Sequence, residues 1–184
     1  MKRWMASLML VFIATGAWAA GNRAQGNQRN RNNQNADLSQ GVQLYKQGNY
    51  AQASTTLKKA VDQDPKNEQA LAYYGLSLVQ SGKASEAVAP LRSAIALNDK
   101  NAESHYGLGL ALAYQKQYPE GIKELDRAVQ LQPNHAYAHY NLGLAYNQVN
   151  KTDQMLVHLE RFLQLAPNAP EAEQVKALLS RLRR

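Results

Sequence analysis

A phrase of seven residues occurs twice in this chain, and the interval between the copies limits what the chain can fold into. His105-Tyr106-Gly107-Leu108-Gly109-Leu110-Ala111 returns as His139-Tyr140-Asn141-Leu142-Gly143-Leu144-Ala145, 34 positions later. The echo continues in Leu125/Leu159, Arg127/Arg161, Gln130-Leu131/Gln164-Leu165 and Pro133-Asn134/Pro167-Asn168. A period of about 20–50 residues marks a repeat array, in which each unit buries its apolar face against its neighbours instead of in one globular core.

Registered on Pro133 and Pro167, the chain divides into residues 34–67, 68–101, 102–135 and 136–169, with no insertion. Each unit holds two stretches with apolar residues at helical spacing, which in the last unit are Tyr137–Gln148 and Thr152–Leu165. The turns between them carry Gly48-Asn49, Gly82-Lys83 and Asn150-Lys151, residue types that tolerate the left-handed conformation ending a helix. The third unit has Lys116 there, which predicts a slightly strained turn. Pro119 stands just inside the next helix, where a missing N–H costs nothing. Pro90, midway along the second helix of unit two, predicts a local kink. Gly109 and Gly121 each cost about 1 kcal/mol of helix propensity relative to Ala, so unit three is expected to be the softest.

Eight positions recur across the units. They read Asp37, Gln40, Gly41, Leu44, Ala53, Leu57, Ala60, Pro65 in the first and Leu71, Tyr74, Gly75, Leu78, Ala87, Leu91, Ala94, Asp99 in the second. The third gives His105, Leu108, Gly109, Leu112, Gly121, Leu125, Ala128, Pro133, and the fourth His139, Leu142, Gly143, Tyr146, Met155, Leu159, Phe162, Pro167. This pattern resembles the tetratricopeptide repeat, a helix–turn–helix family of 34-residue units. The resemblance implies an all-α fold: a right-handed α-solenoid of four repeats over residues 37–169. Small side chains are expected where the two helices of a unit cross, Gly75 against Ala87 for example. Met155 and Phe162 replace small residues in unit four, which fits a different neighbour on that side. Residues 170–184 supply one, with Val175, Leu178, Leu179 and Leu182 in a single apolar stripe. They read as a capping helix touching Phe162. An amphipathic membrane-surface helix shares this pattern and is the alternative reading.

In the resembled family the first helix of each unit lines a concave groove. Carried onto this sequence, the candidate partner-binding residues are Tyr45, Leu76, Tyr106, Leu110, Tyr114, Tyr137, Tyr140, Leu144 and Asn147. Tyrosine offers large contact area and a hydroxyl at small rotamer cost, which suits a binding hot spot. Some of these rings are equally expected to pack between units. A subgroup of the family clamps terminal carboxylates with Lys, Asn and Arg. Here Leu38, Val42, Tyr73, Glu103 and Gly107 occupy those places, so the expected ligand is a protein or peptide segment with apolar anchors.

The ends of the chain address its location. Lys2 and Arg3, the apolar run Leu8–Ala14 and Ala17-Trp18-Ala19 read as an export signal over residues 1–19, cleaved after Ala19 or Ala20. That run is too short and interrupted for a membrane span, which implies a periplasmic or secreted protein with no integral span after cleavage. Residues 20–36 are Asn/Gln/Arg-rich with nothing apolar larger than Ala, which reads as a disordered tether. The net charge of +7 falls to +5 without Lys2 and Arg3, and to +2 over residues 37–184 without Arg23, Arg29 and Arg31. The excess therefore sits on the ends, where weak contact with anionic envelope surfaces is expected. A nucleic-acid partner is not expected, because a binder would carry a basic stripe on its folded face.

No residues assemble into chemistry. There is no Cys, so thiolates, disulfides and lipid attachment through cysteine are excluded. His135 and His139 straddle the Pro133-Asn134 turn, and His105 and His139 hold one packing position in successive units, with no third ligand at metal-site spacing. Neither cofactor nor metal is implied, and neither is enzymatic activity. The reading is an exported interaction scaffold. The alternative is an assembly accessory of an envelope complex (secretion, pilus or polysaccharide machinery), acting through its convex face and basic ends.

Overall fold

The computed structural model describes residues 36–182. Within them the chain forms nine helices: α1 (36–46), α2 (Tyr50–Gln63), α3 (Glu68–Gln80), α4 (Ala84–Leu97), α5 (Ala102–Tyr114), α6 (Tyr118–Leu131), α7 (Ala136–Gln148), α8 (Thr152–Leu165) and α9 (Ala172–Leu182). The expected export signal, nearly all of the expected tether and the last two arginines lie outside the described residues. Helices α3, α5 and α7 start at Glu68, Ala102 and Ala136, 34 residues apart.

Consecutive helices pack on each other, and odd-numbered helices also touch the next odd one, α3 with α5 and α5 with α7. This layering makes an α-solenoid. The burial pattern follows from it. Even helices bury one stripe, such as Ala87, Leu91 and Ala94 in α4, whereas α5 is buried from Ser104 through Leu112. An odd helix is covered by its own partner and by both neighbouring units; an even helix turns one side outward.

Each of the first four odd helices ends in the same way. The residue in the left-handed conformation is Gly48, Gly82, Lys116 or Asn150, at φ 80°, 81°, 62° and 58°. The following N–H reaches back five residues: Asn49 to the Leu44 carbonyl, Lys83 to Leu78, Gln117 to Leu112 and Lys151 to Tyr146, at 2.8–3.0 Å. These paired bonds satisfy the last carbonyls of each helix. Lys116 holds its position at a steric cost that glycine avoids, as its sequence position suggests.

At the helix crossings the nearest neighbour of the small residue of each odd helix is a leucine of the even helix. A Cβ on Gly41 would meet the Leu57 side chain, one on Gly75 would run into Leu91, and one on Gly143 into Leu159. Unit three goes further, because a Cβ on Gly109 would lie 3.0 Å from the Gly121 carbonyl oxygen and 3.0 Å from the Leu125 nitrogen. Two backbones meet here, so both glycines serve a close approach that helix propensity alone does not anticipate. Pro90 sits inside α4, and the helix continues past it to Leu97.

One core runs from Leu76 in α3 to Leu179 in α9. Helix α9 covers the end of the array with Val175 and Leu179, both buried, while Leu178 is partly covered. Leu182, expected in the same stripe, is 46% exposed. Only the first two turns of the cap reach the core. Phe162 is fully buried within that core. None of the described helices is long and apolar enough to cross a membrane.

Candidate functional site: a tyrosine-lined groove

The odd helices position the side chains that line the inner face. Their N-terminal ends are fixed by caps: Asn67 accepts from the Ala70 N–H at 3.0 Å, and Asn101 accepts from the N–H groups of Glu103 and Ser104. For α7 the cap is His135, whose Nδ1 accepts from the Ala138 N–H at 3.1 Å. That use of Nδ1 aims the rest of the imidazole into the groove, where it lies 4.5 Å from the Tyr106 ring.

Two cavities occupy this face. The larger, about 640 Å³, is lined by Tyr45, Tyr50, Gln80, Glu103, Tyr106, Leu110, Tyr114, His135, Tyr137, Tyr140, Asn141 and Glu171. The smaller, about 220 Å³, continues along Leu110, Tyr114, Tyr118, Asn141, Leu144 and Gln148. The structure thus brings Tyr45, Tyr106, Leu110, Tyr114, Tyr137 and Tyr140 to one cavity and Leu144 to its extension. Leu76 is not on this surface: it is 1% exposed, covered by α5 where Gly107 lies over it. Asn147 is exposed and lines neither cavity.

The tyrosines divide by support. Tyr106 is 8% exposed, and its hydroxyl accepts from Asn141 Nδ2 at 3.2 Å. Tyr45 stands edge-on to Tyr50 and Tyr73, at 5.4 and 5.5 Å. Tyr140 packs on Phe162 at 5.0 Å and edge-on to Tyr137 at 6.4 Å. The Tyr137 hydroxyl donates to Glu171 at 3.2 Å. Tyr114 is 65% exposed and is the ring most open to solvent in the groove.

Burial pushes the Tyr45 and Tyr106 phenols well above their ordinary range, with the Glu103 charge adding to the effect. Tyr73 is raised by burial and then by Glu103. Tyr137 is raised by burial and then by its hydrogen bond to Glu171, and Tyr140 by burial and then the Glu171 charge. All five phenols are therefore neutral near pH 7. The groove presents aromatic surface, hydroxyls able to donate or accept, and two carboxylates.

Residues missed in the sequence have identifiable signals. Glu171 continues the series 103, 137, 171 at intervals of 34, one step beyond the last unit. Asn141 holds the place of Gly107 in the following unit. His135 precedes its helix at the place of Asn101, a capping position, so a groove role is not visible from spacing. Tyr50 belongs to an even helix and reaches the cavity from the first unit's edge.

The opposite face has a third cavity of about 720 Å³, lined by Asp99, His105, Glu124, Asp126, Tyr146, Lys151 and neighbours on α6. Of the two histidines of the doubled phrase, His105 lines it. His105 Nδ1 is 2.7 Å from Glu124 and its Nε2 faces the Asp99 carbonyl. His139 repeats the arrangement with His158 in the place of Glu124. Among the described residues no three His, Cys, Asp or Glu side chains converge as metal ligands.

A family model described as anaphase-promoting complex, cyclosome, subunit 3 matches residues 46–128, and one described as tetratricopeptide repeat matches residues 108–180. No curated protein matches the chain. Among solved structures, PilF of Pseudomonas aeruginosa is 29% identical, with a TM-score of 0.69 over 82% of this chain and 68% of that one. MamA is 26% identical, with a TM-score of 0.65 over 78% of this chain and 84% of that one. YrrB, a TPR protein with an unusual peptide-binding site, is 23% identical at a TM-score of 0.62, covering 74% of this chain and 71% of that one. That last likeness shows the fold alone.

Proposed function

We propose, from the premise that the chain belongs to the tetratricopeptide repeat family, that it is an exported, non-enzymatic scaffold holding a protein or peptide segment in its inner groove. The observation that carries this reading is the 640 Å³ cavity whose lining includes six tyrosines, two each from the first, third and fourth units. Rigid aromatic anchors beside polar groups are what a protein hot spot needs. The export signal in residues 1–19 and the absence of cysteine support a bacterial periplasm or the extracellular space as the place of action.

The test is crosslinking in the native envelope, followed by mass spectrometry. Tyr114→Ala with Tyr140→Ala removes contact area from exposed and half-buried positions, leaving the buried Tyr106 in place. Partner recovery is expected to fall at least about tenfold, the effect of losing one or two hot-spot side chains, with helicity unchanged. Undiminished recovery would sink the groove reading.

The 720 Å³ outer cavity, with Lys123, Arg127 and Lys151 beside Asp99, Glu124 and Asp126, favours a second reading. In it the even helices dock a larger envelope assembly. Lys123→Glu with Arg127→Glu abolishing assembly while groove capture persists would select that reading.

A further inference from the structure

The groove is acidic at one edge, and a basic segment directly precedes α1 in the sequence. The carboxylates Glu103 and Glu171 line the larger cavity, and among the described residues no Lys or Arg does. Glu103 Oε1 is 3.6 Å from His135 Nε2, beyond good hydrogen-bond reach, and its side chain is 44% exposed. Glu171 receives the Tyr137 hydroxyl, a neutral donor that leaves its charge uncompensated. The rings of Tyr106, Tyr137 and Tyr140 line the same cavity. Carboxylates beside tyrosine rings form a receptor for guanidinium groups, which pair with the first and stack on the second.

The repeat places this edge. Positions 103, 137 and 171 are equivalent, since 137 − 103 and 171 − 137 are both 34. The equivalent position of the first unit is 103 − 68 = 35, the residue joining the segment 21–35 to α1. That segment contains Arg23, Arg29 and Arg31 and no Asp or Glu. Fifteen residues can reach about 50 Å when extended. Packed helices are about 8–10 Å apart, so the groove from α1 to α7 is within that reach. A short tether holds its own groove at an effective concentration on the order of millimolar, enough for individually weak, exposed ion pairs to act together.

We infer that the segment Gly21–Asn35 lies back in its own groove, its arginines set against Glu103 and Glu171 and the tyrosine rings between them. This rests on the groove being the binding surface proposed above, and it adds a regulation: a partner must displace the segment to enter. A cationic occupant also gives the partner a chemistry to compete with.

The test uses the purified chain beginning at Ala20, with p-benzoylphenylalanine in place of Tyr114, irradiated at nanomolar concentration and mapped by mass spectrometry. The expected product is a crosslink to residues 21–35 at monomer mass. Arg23→Ser/Arg29→Ser/Arg31→Ser should lower its yield at least about fivefold, the scale of two or three exposed ion pairs. Glu103→Gln with Glu171→Gln, a near-isosteric change checked for intact helicity, should do the same, and raised salt should weaken it. No crosslink to the segment, a crosslink only at dimer mass, or yields unchanged by either charge removal overturns the inference. No partner is present, so its failure leaves capture in the native envelope standing. Conversely, lost capture with an intact intramolecular crosslink would count against the partner reading alone.

Discussion

The Nδ1 atoms of His139 and His158 lie 3.0 Å apart, and the far nitrogen of His139 is 3.1 Å from the Pro133 carbonyl. A carbonyl can only accept, so His139 carries its proton on Nε2 and leaves Nδ1 bare to accept from His158 Nδ1–H. In the preceding unit the same place holds Glu124 against His105. One unit therefore has a histidine–carboxylate pair where the next has two histidines, stacked at 5.3 Å and flanked by the Tyr146 ring at 5.6 Å.

That pair makes stability fall with acid. Burial pushes both imidazoles below their ordinary value; for His139 the hydrogen bond to the Pro133 carbonyl opposes this and the charges of Arg161 and His135 add to it, and for His158 His139 adds to it against an opposing pull from Asp126. The unfolded chain then binds protons that the folded chain refuses, so stability is full above about pH 6.5 and declines as pH drops toward the depressed folded values. The thermal midpoint should fall between pH 7 and pH 5, and His158→Phe should flatten that part of the profile. An equal slope in both proteins would show that other groups carry the acid sensitivity.

Gly109→Ala should destabilise. Helix propensity favours the change by about 1 kcal/mol, but the new methyl would sit 3.0 Å from the Gly121 carbonyl. Overpacking of this kind costs about 1–3 kcal/mol, and backbone atoms yield less readily than side chains. The urea midpoint is expected to drop by the equivalent of about 1 kcal/mol. A higher midpoint would mean that α5 and α6 separate freely.

Lys116→Gly should stabilise. Lysine at φ 62° pays roughly 1–2 kcal/mol for the left-handed conformation, while glycine gives back part of that through its freer unfolded chain. A net gain of about 0.5–1 kcal/mol is expected by urea denaturation. Gly82→Ala, at φ 81° with nothing within 4 Å of its would-be Cβ, should lose a comparable amount through the same term. Agreement of sign in only one of the pair would assign the effect to something other than φ.

The 34-residue period made the solenoid, the helix ends and the reverse turns legible, because each rests on local chemistry repeated in phase. Exposure along the groove was not legible, because it depends on which neighbour covers a position. Leu76, Leu110 and Leu144 hold one repeat position, yet they are 1%, 4% and 37% exposed. The first is covered by α5, whereas the last belongs to the unit at the end of the array. Counting positions assigns all three to the groove; packing leaves Leu76 in the core. Glu171 shows the converse, since the period continues one step into a segment that no longer looks like a repeat.

Phe162 couples the core to the groove. Its position elsewhere in the array is held by Ala60, Ala94 and Ala128, and here a fully buried ring fills the space beneath α7. Tyr140 and Tyr137 rest on it at 5.0 and 5.9 Å, so it backs two of the rings that line the groove. Phe162→Ala should cost about 3–5 kcal/mol. Phe162→Leu keeps most of the apolar volume and should cost less than about 1.5 kcal/mol, yet it removes the flat surface that the two tyrosines use. The leucine variant is therefore expected to stay folded, lose near-ultraviolet circular dichroism from its tyrosines and retain less partner in the groove. Full partner capture by that variant would uncouple Phe162 from the binding surface and confine its role to packing.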